Sequence, residues 1–70
     1  MSVGIRFESR ERDEDYTLDS FDWIEVDGTT MVAESDDGMV RHEQLAVRID
    51  GGWETADNRQ WSYFVIYSLP

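Results

Sequence analysis

Trp23-Ile-Glu-Val-Asp27-Gly28-Thr-Thr-Met-Val-Ala-Glu34 is the stretch on which the fold turns. Trp23 to Val26 is rich in β-formers, Asp27-Gly28 is a favoured type I′ hairpin turn, and the chain returns through Thr29 to Glu34. Asp36-Asp37-Gly38 then supplies a second turn into Met39 and Val40. Two Asp-Gly turns this close together predict an antiparallel meander.

Upstream, Val3, Ile5 and Phe7 alternate with Gly4, Arg6 and Glu8, the period-two pattern of a half-buried strand. Ser9 to Asp15 is almost wholly charged and reads as an exposed loop or a charged strand extension. Tyr16 to Val26 supports two readings. Leu18, Phe21 and Glu25 sit at helical spacings, with Thr17 or Asp19 as a cap. The β-formers that follow favour a strand ending at Val26.

Downstream, Leu45, Val47 and Ile49 alternate with Ala46 and Arg48, again a strand, although Met39 to Ile49 also holds good helix formers. Asp50-Gly-Gly52 is a turn and Trp53 to Gln60 a loop. Trp61-Ser-Tyr-Phe-Val-Ile-Tyr67 is the strongest strand in the chain, and apolar residues on both its faces predict a central or doubly covered position. Pro70 cannot donate to a ladder and suits an end. The expectation is one mainly β domain over residues 1–70, a small antiparallel sheet or barrel of about five strands with at most one short helix. An α+β arrangement is the alternative.

Seventy residues lie near the lower limit for a self-sufficient core. Without cysteine there is no disulfide, thiol nucleophile or cysteine zinc site, and His42 alone makes no metal cluster. Neither a metal nor a cofactor is expected. Nine aromatic residues favour a folded domain. No apolar run reaches the roughly 20 residues that span a bilayer, and no signal-peptide pattern opens the chain, so a cytoplasmic location is expected. A two-sided apolar strand on so short a chain also leaves a homodimer open.

Charge is the informative quantity. Residues 13–37 carry Asp13, Glu14, Asp15, Asp19, Asp22, Glu25, Asp27, Glu34, Asp36 and Asp37 and no basic residue. Residues 1–12 sum to +1 and residues 38–70 to −1, so this cluster equals the chain's net charge of −10. Such a surface repels nucleic acid and anionic lipid and attracts basic proteins. All six basic residues are Arg, as in a G+C-rich coding sequence or a halophilic cytoplasm. Neither accounts for acids gathered in one segment.

No nucleophile sits beside an orienting base, and paired carboxylates need a cleft that a 70-residue sheet rarely holds. A non-enzymatic protein is therefore expected. Glu25-x-Asp27-Gly28 followed by Glu34 matches the later positions of an EF-hand loop, but Trp23 stands where its first oxygen ligand belongs. A hairpin that shares Asp-Gly is the better reading. The interleaved acids and aromatics of Asp15 to Glu25 also suit an acidic activation segment that folds on a partner. Against that, Phe21, Trp23 and Ile24 are needed by this domain's own core.

Without a basic patch the chain is not a nucleic-acid binder. The inverse is an imitation of the phosphate backbone. Carboxylates on one face of a strand lie roughly 6.6 Å apart, and a neighbouring strand adds a row roughly 4.8 Å away. Two like charges at that separation repel by roughly 0.6 kcal/mol in a water-like dielectric. On a domain of small stability margin, that repulsion implies a return in function or in salt tolerance.

In size, charge and the 13–37 cluster, the chain resembles the small acidic inhibitors that phages and mobile elements encode against host nucleic-acid-binding machinery. DNA-mimic and several anti-CRISPR proteins belong to that group, which shares no sequence motif. The resemblance implies a basic, nucleic-acid-binding partner whose groove is blocked. The ten clustered acids would meet it, with Tyr16, Phe21 or Trp23 as anchors, while Arg41 and Arg59 are expected in intramolecular pairs. The alternative is a halophilic structural or interaction domain with an acidic solubilising surface.

Overall fold

A computed structural model of the chain describes residues 2–35 and 42–70. Seven antiparallel strands form a single curled sheet among them: β1 (Ser2–Glu8), β2 (Asp15–Asp27), β3 (Thr30–Ser35), β4 (His42–Ile49), β5 (Gly52–Thr55), β6 (Gln60–Trp61) and β7 (Tyr63–Leu69). Their order is β6-β5-β4-β3-β2-β1-β7. The mainly β expectation holds. Residues 36–41, with the expected second turn and Asp36, Asp37 and Arg41, lie outside the described residues, as does the side chain of His42.

β2 is the backbone of the sheet, and its pattern explains the competing helical reading. Tyr16, Leu18 and Phe21 lie opposite Phe7, Ile5 and Val3, and Ile24 and Val26 lie opposite Ala33 and Met31. Cross-strand partners share a face, so these five residues fall on the core side of β2 at intervals of two, three, three and two. Tyr16, Leu18, Phe21 and Ile24 pack there, while Val26, at the end of the strand, is exposed. Each three-residue step is an irregularity, the first between Leu18 and Phe21 and the second between Phe21 and Trp23. Ser20, at φ 70°, takes the left-handed backbone of the first. Bulges of this type re-phase alternation and sharpen the twist. Bulges also bend the strand that carries them. The Leu18–Phe21 step that suggested a helical turn is that of a bulged strand, and Glu25 falls on its outer face. The helix considered over 39–49 is likewise replaced by β4 from His42 onward, with its own irregularity opposite Met31 and Val32.

The hairpin turn is shifted by one residue from expectation. Asp27 pairs with Thr30, so Gly28 and Thr29 are the central residues. Among the described non-glycine residues only Ser20 and Asn58 have positive φ, while Gly28 stands at 63°. Positive φ at the first central residue alone belongs to the II′ pattern, not I′.

The end of the chain departs most from expectation. The loop foreseen from Trp53 contains β5, and Ser62 divides the last apolar run into β6 and β7. Ser62 N donates to the Glu8 carbonyl at 2.8 Å. The chain thereby leaves β5 and joins β1, so one stretch serves both margins of the half-barrel. β7 is an edge strand, not a central one. Its two-sided apolar character divides between Phe64 and Ile66, on the core face opposite Phe7 and Ile5, and Tyr63, Val65 and Tyr67 on the other. Tyr67 lies over Gly4, whose missing side chain makes room for the ring.

The core comprises Ile5, Phe7, Phe21, Met31, Ala33, Leu45, Ala46, Trp53 and Trp61, with Val3, Tyr16, Leu18, Ile24 and Phe64 packed against it. Trp53 meets Phe64 edge-on at 5.6 Å, joining the two ends of the sheet across the interior.

Candidate functional site: the outer face of the β2–β3 hairpin

The bulges that turn Tyr16, Leu18, Phe21 and Ile24 inward leave the carboxylates outside. Asp15, Asp19, Asp22, Glu25 and Asp27 are exposed along β2, and Glu34 on β3 is half-buried. At the hairpin tip Trp23 faces Glu34, Glu25 faces Val32 and Asp27 faces Thr30. Trp23 is half-buried on the face opposite the core, with Glu25 two residues along and Glu34 across the ladder. The Glu25–Glu34 diagonal is roughly 7–8 Å in such a ladder. At the other end, Asp15 lies opposite Glu8, a like-charge pair relieved by Arg6, whose Nε is 3.3 Å from Glu8 Oε2.

Asp13 and Glu14 belong to the connection of residues 9–14, which is ordered by its own bonds. Ser9 Oγ accepts from the backbone N–H groups of Glu11 and Arg12, and Ser62 Oγ accepts from that of Arg10. Glu14 is drawn toward the basic side, 3.7 Å from Arg12 and 3.6 Å from Arg59. The structure therefore brings Asp22, Trp23, Glu25, Asp27 and Glu34 onto the β2–β3 pair, places Asp15 and Asp19 on the part of β2 that runs beside β1, and sets Asp13 and Glu14 at its base. Tyr16 and Phe21 do not join them. Phe21 is in the core, and Tyr16 stacks on Phe7 and Trp61.

The five arginines among the described residues are each engaged internally. Arg6 takes Glu8; Arg10 lies 5.2 Å over Tyr63 and Arg48 5.4 Å over Trp53. Arg12 lies 4.7 Å over Trp61 and donates to the Gln60 carbonyl at 2.8 Å. Arg59 sits 4.9 Å over both Tyr16 and Trp61 and bonds Asp57 at 2.6 Å. Guanidinium groups over aromatic faces are held there electrostatically. Glu14 is the only hairpin-cluster carboxylate in an ion pair among the described residues.

This arginine–aromatic girdle was not legible as a site. Its members, Arg12, Tyr16, Arg59 and Trp61, are up to 49 residues apart. The outward turn of Trp23 did leave a signal: Trp23-Ile24 is an adjacent apolar pair, and neighbours in a strand point to opposite faces.

Glu25, Asp27 and Glu34 are spread along the hairpin and do not converge on one point. From the Asp27–Thr30 pair to Glu34 is roughly 13 Å of strand. Among the described residues no group of three or more His, Cys, Asp or Glu is arranged to hold a metal. Three concavities measure about 150, 180 and 240 Å³, below the roughly 300–1,000 Å³ of ligand clefts. Among the described residues no helix is long and apolar enough to cross a membrane.

No family model, curated protein or solved structure matches the chain.

Proposed function

We propose that this is a non-enzymatic inhibitor that docks its acidic hairpin into the basic groove of a nucleic-acid-binding protein in the cytoplasm of a host cell. One observation carries the reading. Six carboxylates, Asp15, Asp19, Asp22, Glu25 and Asp27 along β2 and Glu34 on β3, lie on these two strands while the described arginines are held elsewhere. Their spacing refines it. Along roughly 40 Å of β2 strand its five carboxylates offer about one charge per 8 Å, several-fold sparser than the roughly 1.7 Å of duplex DNA. The hairpin thus competes for a handful of phosphate subsites and does not copy a helix. Trp23, amid the carboxylates, is the anchor that converts electrostatic steering into residence time.

The test is capture of basic nucleic-acid-binding proteins on the immobilised chain, followed by elution with salt. Captured partners should release between about 0.1 and 0.5 M salt, as screening shortens the Debye length toward a few ångströms. Reversal of Asp19, Asp22, Glu25 and Asp27 to Lys should abolish capture, whereas reversal of Glu43 and Asp50, outside the hairpin, should not. Equal loss from both sets would favour the halophilic reading, as would a fold that melts in low salt.

A further inference from the structure

We infer that the free edge of β7 is the seam of a two-fold homodimer. Among the described residues β7 pairs only with β1, through seven consecutive pairs from Ser2–Leu69 to Glu8–Tyr63 with no bulge. Its other edge leaves a row of backbone N–H and C=O groups without a strand. Exposed edges are ordinarily blunted by charge, proline, a bulge, shortness or a covering segment. The opposite margin of the sheet follows that rule: β6 has two residues, and Arg12 reaches over to bond Gln60. β7 has none of these devices beyond Arg10, which lies over Tyr63 at one end. It is seven residues long without a charge or a proline, and Val65 and Ile66, on opposite faces, are 39% and 42% exposed.

Two features name a second copy as the occupant. The first is the side-chain pattern. With the two-fold axis at Ile66, antiparallel pairing sets Val65 against Tyr67 of the other copy and Tyr63 against its Leu69. Every outer-face position then meets an aromatic with an aliphatic, a favourable cross-strand combination, and Ile66 meets its own equivalent. The strand is complementary to itself, as a closed two-fold interface requires. The second is charge. The joined order β2-β1-β7-β7-β1-β2 separates the acidic strands of the two copies by five spacings, roughly 24 Å. That is about three Debye lengths at physiological salt, so two chains of −10 meet where their repulsion is screened. A basic foreign strand would find no acid on β7 to meet. A two-fold pairing of β7 with itself uses up that edge in both copies, so this seam joins two chains and no more.

A single strand pair lies at the small end of interface sizes, so dissociation is expected at about 10–100 μM. Sedimentation equilibrium on the purified chain from about 1 μM to 1 mM should show the mass doubling. Val65→Lys and Ile66→Lys should each weaken the dimer at least about tenfold while keeping the wild-type circular dichroism. Should either variant fail to fold, hydrogen exchange on the unaltered chain provides the same reading. The β7 amides that do not bond β1 should slow as concentration rises. A monomer throughout would overturn the proposal and leave the edge to a foreign strand. So would folded variants that dimerise as before, or a dimer that tightens steeply with salt, which would put the hairpins face to face. No target protein is present, so the outcome is independent of the inhibitor reading.

Discussion

The indole Nε1–H of Trp61 donates a 3.0 Å hydrogen bond to the hydroxyl of Thr55, and both residues are buried. The same hydroxyl donates to the Asp57 carboxylate, so one oxygen links the core to the β5–β6 turn. Thr55→Val keeps the shape and strands the indole N–H away from water. It should cost about 1–3 kcal/mol, read as a lower urea midpoint at unchanged slope, and Thr55→Ser should recover most of it. Equal midpoints for the two variants would show that packing alone holds this corner.

The Asp57 carboxyl is held below its ordinary value of 3.8, chiefly by the Thr55 hydroxyl and then by Arg59, with partial desolvation opposing. A depressed carboxyl stabilises the fold in full above 3.8 and loses that contribution as pH falls through the folded value. The melting temperature should therefore drop more steeply below about pH 4 in the wild type than in Asp57→Asn. Parallel curves would remove Asp57 from the acid response.

Gly52 and Gly4 should rank very differently when changed to Ala. A Cβ at Gly52 would run into the Trp61 carbonyl oxygen, with the carbonyl carbon at 3.1 Å, and that backbone cannot yield without breaking the β5–β6 pairing. A Cβ at Gly4 meets only the Tyr67 ring, at 2.7 Å, on an edge strand that can swing aside. Thermal melts should show a loss of about 3 kcal/mol or more for Gly52→Ala and about 1 for Gly4→Ala. Tyr67→Ser should relieve the latter alone.

Glu25 stands between Asp27 on its own strand and Glu34 on the diagonal. Glu25→Gln removes the middle of three like charges, so the melting temperature should rise in low salt and the gain should vanish near 1 M, where screening acts within about 3 Å. The same substitution should weaken capture of a basic partner. A stabilised variant that binds as well as the parent would separate the acidic surface from the function proposed for it.

Period-two stretches were readable because each apolar residue reports its own face: Val3, Ile5 and Phe7 all proved to look inward. The sheet's class and its first hairpin follow from such local signals. Tyr16 to Val26 was ambiguous because a bulge and a helical turn both put three residues between apolar positions, and only the pairing with β1 and β3 decides between them. The last strand misled for a related reason. Apolar residues on both faces suggest cover on both sides, yet here the outer face is covered piecemeal, with Tyr67 lying over Gly4 and Arg10 over Tyr63. The acidic cluster was visible as composition. What disposes of the arginines was not, since Arg59 finds Tyr16 across 43 residues.

The pairing of β1 with β7 also sets the order in which this molecule can be made. Residues 2–8 emerge from a ribosome before residues 63–69 and must wait for them before their outer ladder can close. Contacts of such long sequence separation form slowly, on the order of milliseconds to seconds for all-β domains. Until that ladder closes, the nascent chain displays an unpaired edge of β1 to whatever chaperone or neighbour is at hand.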